Sequence, residues 1–213
     1  MDYARTLSRV EDYFDRSATK VWEQLTSDAP VSRVRATVRA GRDEMRALMI
    51  AQLGDLRGKR VLDAGCGTGA ASQAMAEAGA KVVGVDISPS LIEIAQKRLP
   101  EHLAEQVTFE AGDMLAARGQ FNAVIAMDSL IYYTRPDLLR ALSALDQIAP
   151  QVVFTVAPRS PFLMAFWYAG KLFPRKDRSP VMVPQDIAKL PARHVRTVRS
   201  GFYTSACMEV ARG

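Results

Sequence analysis

Cysteine is scarce in this chain: of 213 residues, only Cys66 and Cys207 carry a thiol. The two show no disulfide or metal-ligand spacing, which excludes a small stapled fold and points to a reducing compartment. Histidine is as sparse, with His102 and His194 alone; neither sits in a zinc spacing, and no metal site is expected in the protein. Long apolar runs are missing too. The longest, residues 161–170, falls well short of the roughly 20 residues a bilayer-spanning helix needs. The N-terminal residues include Asp2 and no apolar stretch, so no signal peptide is read there and a cytoplasmic location is expected. An RNP-like aromatic strand, a low-complexity tail and an internal repeat are also lacking, which leaves nucleic acid unsupported as a partner.

What is present is a globular composition, 48% hydrophobic with a net charge of +5, at a length that suits one well-buried domain with a small cap. The basic residues gather in three places, at 33–46, 171–178 and 193–199. Anionic small molecules and an acidic membrane surface would both be drawn to such clusters, although a solvated helix face accounts equally well for any one of them.

Residues 1–56 read as helical, with Leu7, Val10, Tyr13 and Phe14 at helical spacing and a second stripe through Val34, Val38, Met45, Leu48, Met49 and Leu53. They form a cap before the core. From Lys59 the period changes. Apolar runs at 60–62, 82–85, 107–110, 121–127 and 151–156 alternate with helical segments at 70–78, 89–99 and 136–148, the pattern of a parallel, doubly wound α/β sheet. Ser88 followed by Pro89 reads as an N-cap with proline at the first helical position. An aromatic and basic insert covers about 159–191. Two further runs divided near Gly201 then close the sheet as an antiparallel hairpin, so the core extends over 57–213.

The most informative string is Val61-Leu62-Asp63-Ala64-Gly65-Cys66-Gly67-Thr68-Gly69. It puts an acid and three glycines where a buried strand passes into a helix, and glycine leaves no Cβ between the main chain and a ligand. The spacing Gly65-x-Gly67-x-x-Ala70 also satisfies a loose dinucleotide fingerprint. Asp63 argues against a diphosphate and for a ligand with an ammonium and a sulfonium, the charge pattern of S-adenosyl-L-methionine. Asp86, ending the second strand, is placed to accept from a ribose diol and suits either cofactor.

This string resembles the first motif of class I S-adenosylmethionine-dependent methyltransferases, and seven strands ending in an antiparallel hairpin resemble that fold. The similarity extends further. Tyr13-Phe14-Asp15-Arg16, Trp22, Val38-Arg39-Ala40-Gly41-Arg42, Asp128 to Tyr133, Ala157-Pro158-Arg159, Lys171-Leu172-Phe173-Pro174 and Gly201-Phe202-Tyr203-Thr204-Ser205 together resemble the magnesium protoporphyrin IX O-methyltransferases of bacteriochlorophyll and chlorophyll synthesis. Oxygenic relatives typically read Ile-His-Tyr where this chain has Ile131-Tyr132-Tyr133. The resemblance implies that Asp63, Gly65, Cys66, Gly67, Asp86, Ile87, Ser88, Gly112, Asp113, Met114, Met127, Asp128 and Ser129 hold the cofactor. It implies that Tyr13, Tyr132 and Tyr133 orient the reacting groups, since phenols are poor bases at neutral pH, and that a lid forms from the helix between Tyr13 and Trp22. Trp22, Arg39, Phe162, Phe166 and Trp167 are expected at the porphyrin. The large subunit of magnesium chelatase and a peripheral membrane surface are the partners implied. Methylation of another apolar acceptor such as a quinone precursor, and a cofactor-binding or membrane-docking module without turnover, stand as alternatives.

Overall fold

A computed structural model describes residues 3–13, 32–159, 164 and 182–212. Trp22, Phe162, Phe166 and Trp167, together with the segment after Tyr13 that was expected to form a lid, lie outside the described residues.

Helices α1 (Tyr3–Tyr13) and α2 (Arg33–Gln52) precede the sheet. The core then alternates β1 (Arg60–Ala64), α3 (Ala70–Glu77), β2 (Lys81–Asp86), α4 (Pro89–Arg98), β3 (Val107–Ala111), β4 (Ala123–Ala126), α5 (Arg135–Ile148) and β5 (Gln151–Val156), and ends with β6 (Arg193–Ser200) and β7 (Tyr203–Ala211). The seven strands lie in the order β3-β2-β1-β4-β5-β7-β6. The first five are parallel, whereas β7 runs antiparallel to β5 and β6 antiparallel to β7. The α/β sheet with a terminal hairpin is as the resemblance implied. Ser88 caps α4 as read, its Oγ accepting from the Leu91 N–H at 3.3 Å with Pro89 just inside.

Both faces of the central strands are covered, so successive side chains enter different cores. Leu62, Val124, Val152, Phe154 and Met208 pack with Leu138, Leu142 and Leu145 of α5. Their neighbours Val61, Ile125, Val153 and Cys207 pack with Met45 and Met49 of α2 and Met75 of α3. Fully buried side chains of this size contribute about 1.5–3 kcal/mol each. Helix α2 thereby packs directly on one face of the sheet. At its middle, a Cβ on Gly41 would stand 2.7 Å from Tyr203 Cδ1 and 2.9 Å from Ser200 Cβ. The Ser200 hydroxyl also donates to the Thr37 carbonyl at 2.8 Å. The terminal hairpin therefore seats directly on α2.

The described ends of the insert meet beside the β4–α5 connection. Gln185 N–H donates to the Ala157 carbonyl and Arg159 N–H to the Gln185 carbonyl, both at 2.8 Å. Gln185 Nε2 donates to the Tyr133 carbonyl at 3.0 Å, and Val183 N–H to the Ile131 carbonyl at 2.8 Å.

Candidate active site

The strand order reverses between β1 and β4, and an open parallel sheet has its ligand crevice at the carboxyl end of such a switch. A cavity of about 240 Å³ lies there. Gly65, Cys66, Gly67 and Thr68 of the turn, Asp63, Asp86 and Ile87, Gly112 and Met114, and Met127, Asp128 and Ser129 border it. Leu7 and Val10 of α1 border it as well, as do Arg39, Arg42, Asp43 and Arg46 of α2.

The glycine turn is built to an exact shape by its neighbours. Gly65, Gly67 and Gly69 have φ of 82°, 54° and 79°. A Cβ on Gly65 would lie 2.3 Å from Ser129 Cβ. Ser129 reaches this position by donating its hydroxyl to the Ala64 carbonyl at 2.7 Å, tying the end of β4 to the end of β1. The Gly65 N–H in turn donates to the Val85 carbonyl at 2.7 Å.

Two carboxylates stand on this side of the cavity. Asp63, only 1% exposed, accepts the Ser72 hydroxyl of α3 at 2.6 Å. Burial pushes its pKa up to about 6, with the Asp86 charge adding to the effect. Asp86 accepts from the Gly67 N–H at 2.8 Å and from the Ser88 N–H at 3.0 Å, one bond to each oxygen. Its carboxylate plane is therefore fixed from both sides.

The opposite wall carries the arginines. Arg42 Nη1 lies 3.4 Å from Asp128 Oδ2, with side-chain exposures of 16% and 8%. The Asp128 N–H donates to Thr155 Oγ1 at 2.8 Å, and the hydroxyls of Thr155 and Tyr203 donate to Asp128 Oδ1 at 3.3 Å each. Burial and the Asp128 charge hold the phenols of Tyr132 and Tyr203 well above the usual tyrosine range, so both stay protonated hydrogen-bond donors. Burial likewise pushes up the Cys66 thiol, aided by Asp63 and Asp86, and removes it as a nucleophile.

Several expected residues stand elsewhere than the sequence implied. Asp113 is absent from the cavity lining; its Oδ1 accepts from the Leu115 N–H at 2.9 Å and caps a short 3-10 turn over Met114–Ala116. Ser88 is fully buried, and its N–H donates to Asp86, which borders the cavity. Tyr13 is not a lining residue either. It belongs to an apolar cluster around Leu91 with Val10, Ile94 and Tyr132, of which Val10, Leu91 and Tyr132 border the cavity. Tyr133 borders the cavity, but its side chain is counted in the larger apolar core, where a strand-to-helix passage must be packed. From α1, Leu7 and Val10 border the cavity. Sequence reasoning missed Arg42, Arg46, Ser72, Thr155 and Tyr203 as site residues. The i, i+3, i+7 spacing of Arg39, Arg42 and Arg46 was the one available signal, since it places all three on one helix face. Among the described residues no group of three or more His, Cys, Asp or Glu side chains gathers as a metal site would require, and no helix is long and apolar enough to cross a membrane.

The comparisons agree with this geometry. Residues 61–149 match the general methyltransferase domain, and residues 126–212 match the magnesium-protoporphyrin IX methyltransferase C-terminus. A magnesium-protoporphyrin O-methyltransferase of Rhodobacter capsulatus is 54% identical, over 98% of this chain and 97% of its own length. The crystal structure of a magnesium protoporphyrin IX methyltransferase from Synechocystis with bound SAH superimposes with a TM-score of 0.84 at 30% identity, covering 97% of this chain and 99% of that one. A second structure of the Synechocystis protein, with bound SAM, gives 0.77 at 27% identity, covering 100% and 98%. With identity above half along nearly the full length of both proteins, the chain belongs to the magnesium-protoporphyrin O-methyltransferase family.

Proposed function

We propose that the chain transfers a methyl group from S-adenosylmethionine to a propionate carboxylate of magnesium protoporphyrin IX, giving the monomethyl ester in bacteriochlorophyll synthesis. The observation that carries this reading is the cavity at the β1/β4 switch point, whose lining includes Asp63 and Asp86 together with Arg39, Arg42 and Arg46. The two acids suit the ammonium, sulfonium and ribose diol of S-adenosylmethionine, and the three arginines offer more than one seat for carboxylates, the cofactor's and the acceptor's alike. Asp63, at the end of β1 beside the glycine turn, argues against a diphosphate there.

Bound S-adenosylmethionine supplies an electrophilic methyl group on its sulfonium. The residues of this chain then have three tasks. Gly65 and Gly67 let the main chain approach the ligand, while Ser129 fixes the turn they make. Asp63 faces positive charge, and the two N–H donors on Asp86 orient its carboxylate as a diol acceptor. Ile87, Met114 and Met127 supply apolar walls. Leu7 and Val10 cover the cavity and exclude water. No strong base is needed, because a propionate is already ionised at pH 7. Alignment of the acceptor oxygen with the methyl group is what remains for the protein to provide. Tyr132, kept protonated by burial, orients the acceptor as a donor, with Tyr13 packed in the same cluster and Tyr133 bracing it from the core.

Residues 1–56 act in this reading as a cap continuous with the core at 57–213, and the insert at about 159–191 serves the porphyrin. Its anchoring beside Ile131 and Tyr133 supports that role. Membership of the family supports receipt of the porphyrin from the large subunit of magnesium chelatase. Exposed Phe202 and Met182, with the arginines of β6, support peripheral contact with an anionic membrane. The two buried thiols support a reducing, cytoplasmic setting.

Methyl-labelled cofactor, offered with magnesium protoporphyrin IX and a catechol quinone precursor in parallel, tests the central claim. An alkali-labile ester on the porphyrin is expected. Turnover on the quinone precursor alone would reassign the acceptor, and cofactor binding without any methylated product would sink the enzyme reading.

A further inference from the structure

Asp128 is the one non-glycine residue with positive φ among the described residues, at 57°. A left-handed aspartate at the end of a strand is maintained only where its surroundings over-determine it. They do so here: its N–H is held by Thr155 of β5, and its Oδ1 accepts from Thr155 and from Tyr203 of β7. That leaves Oδ2 facing Arg42 of α2 at 3.4 Å. Such a carboxylate cannot swing. It is a fixed post, pinned by two strands, to which a guanidinium from a helix is tied.

The arginines of α2 differ in their company. Arg46 pairs at 2.8 Å with Asp43 on its own helix, a contact that moves with α2. The partner of Arg42 comes from the sheet. The Asp128 contact, at 3.4 Å, is longer than a direct charge-assisted bond of about 2.7–2.9 Å, so it is an ion pair that a substrate carboxylate can join or exchange with at the planar guanidinium. Strand order places the two charge sets on different strands. Asp63 and Asp86 end β1 and β2, whereas Arg42 is tied through Asp128, Thr155 and Tyr203 to the ends of β4, β5 and β7. Tyr132, which follows β4 as Asp128 does, also borders the cavity.

We propose that Arg42 is the specificity-determining residue that receives the acceptor's carboxylate, and that Asp128 is the positioning residue that holds it there. This rests on the methyl-transfer reading above. The strained aspartate aims the arginine at the strand end where alignment is needed, and it neutralises the guanidinium when no substrate carboxylate is present.

The test compares binding of magnesium protoporphyrin IX with binding of its dimethyl ester, which lacks the carboxylates, by fluorescence titration. Calorimetry with S-adenosylmethionine and steady-state kinetics accompany it. The wild type should prefer the diacid by about tenfold or more, the scale of one charge-assisted pair. Arg42→Gln should bring the two porphyrins to within about twofold and raise KM for the diacid about tenfold, with kcat and cofactor affinity changed less than about threefold. Arg42→Lys should recover part of the preference. Asp128→Asn should move the same readouts in the same direction, by less. Retention of the diacid preference in Arg42→Gln would overturn the proposal. So would a collapse of cofactor affinity with an unchanged porphyrin KM, which would hand the guanidinium to the cofactor's carboxylate. If the wild type binds both porphyrins but methylates neither, the methyl-transfer reading fails, and the diacid preference still reports on Arg42 separately.

Discussion

Asp63 combines near-complete burial with a single hydroxyl donor, and this sets a pH dependence. Its pKa rises from 3.8 to about 6 because burial disfavours the charged form. A carboxyl whose folded pKa is raised stabilises the fold fully below the unfolded value and loses that contribution as pH climbs through about 6. The ionised group costs on the order of 3 kcal/mol once the window is passed. A cationic ligand offsets that cost. Affinity for S-adenosylmethionine is therefore expected to strengthen from pH 5 to pH 7 in the wild type and to stay nearly flat in Asp63→Asn, which at pH 7 should bind about tenfold or more weakly. Calorimetry across that range decides it, and an unchanged affinity in the variant would remove the charge argument. Gly65 makes a second residue-scale prediction. Gly65→Ala places a Cβ at 2.3 Å from Ser129 Cβ on a backbone with φ of 82°, so denaturant unfolding should show a loss of about 2 kcal/mol or more. Ser129→Gly in the same chain should relieve the collision but leave the φ strain, restoring only part of the stability.

Among the elements, α2 shows most clearly how packing overrides local preference. An isolated helix gains about 1 kcal/mol when an interior glycine becomes alanine. At Gly41 the new methyl would meet the ring of Tyr203 at 2.7 Å. Gly41→Ala should therefore destabilise the protein by about 1–3 kcal/mol despite the gain in propensity, and should raise the porphyrin KM because the Tyr203–Asp128–Arg42 contacts shift with it. Thermal unfolding and kinetics on the one variant check both effects. The sequence reading found α2 through its apolar stripe of Met45, Met49 and Leu53, but not the partners of that stripe. Periodicity reveals that a face is buried and never what buries it. That the stripe meets Ile125, Val153 and Cys207 of the sheet is a tertiary fact. Helix α1 repeats the lesson: Leu7 and Val10, which border the cavity, are ordinary apolar residues with no local signature.

For the molecule as a whole, cofactor and fold are linked by mass action. The switch-point cavity draws walls from α1, α2, β1, β2 and β4, so a ligand bound there ties the cap to the core. S-adenosylmethionine at a hundredfold over its dissociation constant should stabilise the protein by about 2.7 kcal/mol, and by less below pH 6, where Asp63 protonates. Calorimetric melting at pH 5.5 and pH 7 with saturating cofactor measures the difference; equal stabilisation at both would show that Asp63 does not see the ligand's charge. The sequence alone determined the alternation of strands and helices, the terminal hairpin, the glycine turn and the acids at the ends of β1 and β2. Each of these is written locally, in a period of two or about 3.6 and in residues that tolerate few other conformations. Only the tertiary structure decided that Asp113 caps a turn outside the cavity, that Ser72 satisfies Asp63, and that Arg42, Asp128, Thr155 and Tyr203 form one cluster. Those four come from α2, the end of β4, β5 and β7, and a contact between distant segments leaves no periodic mark in the chain that carries it.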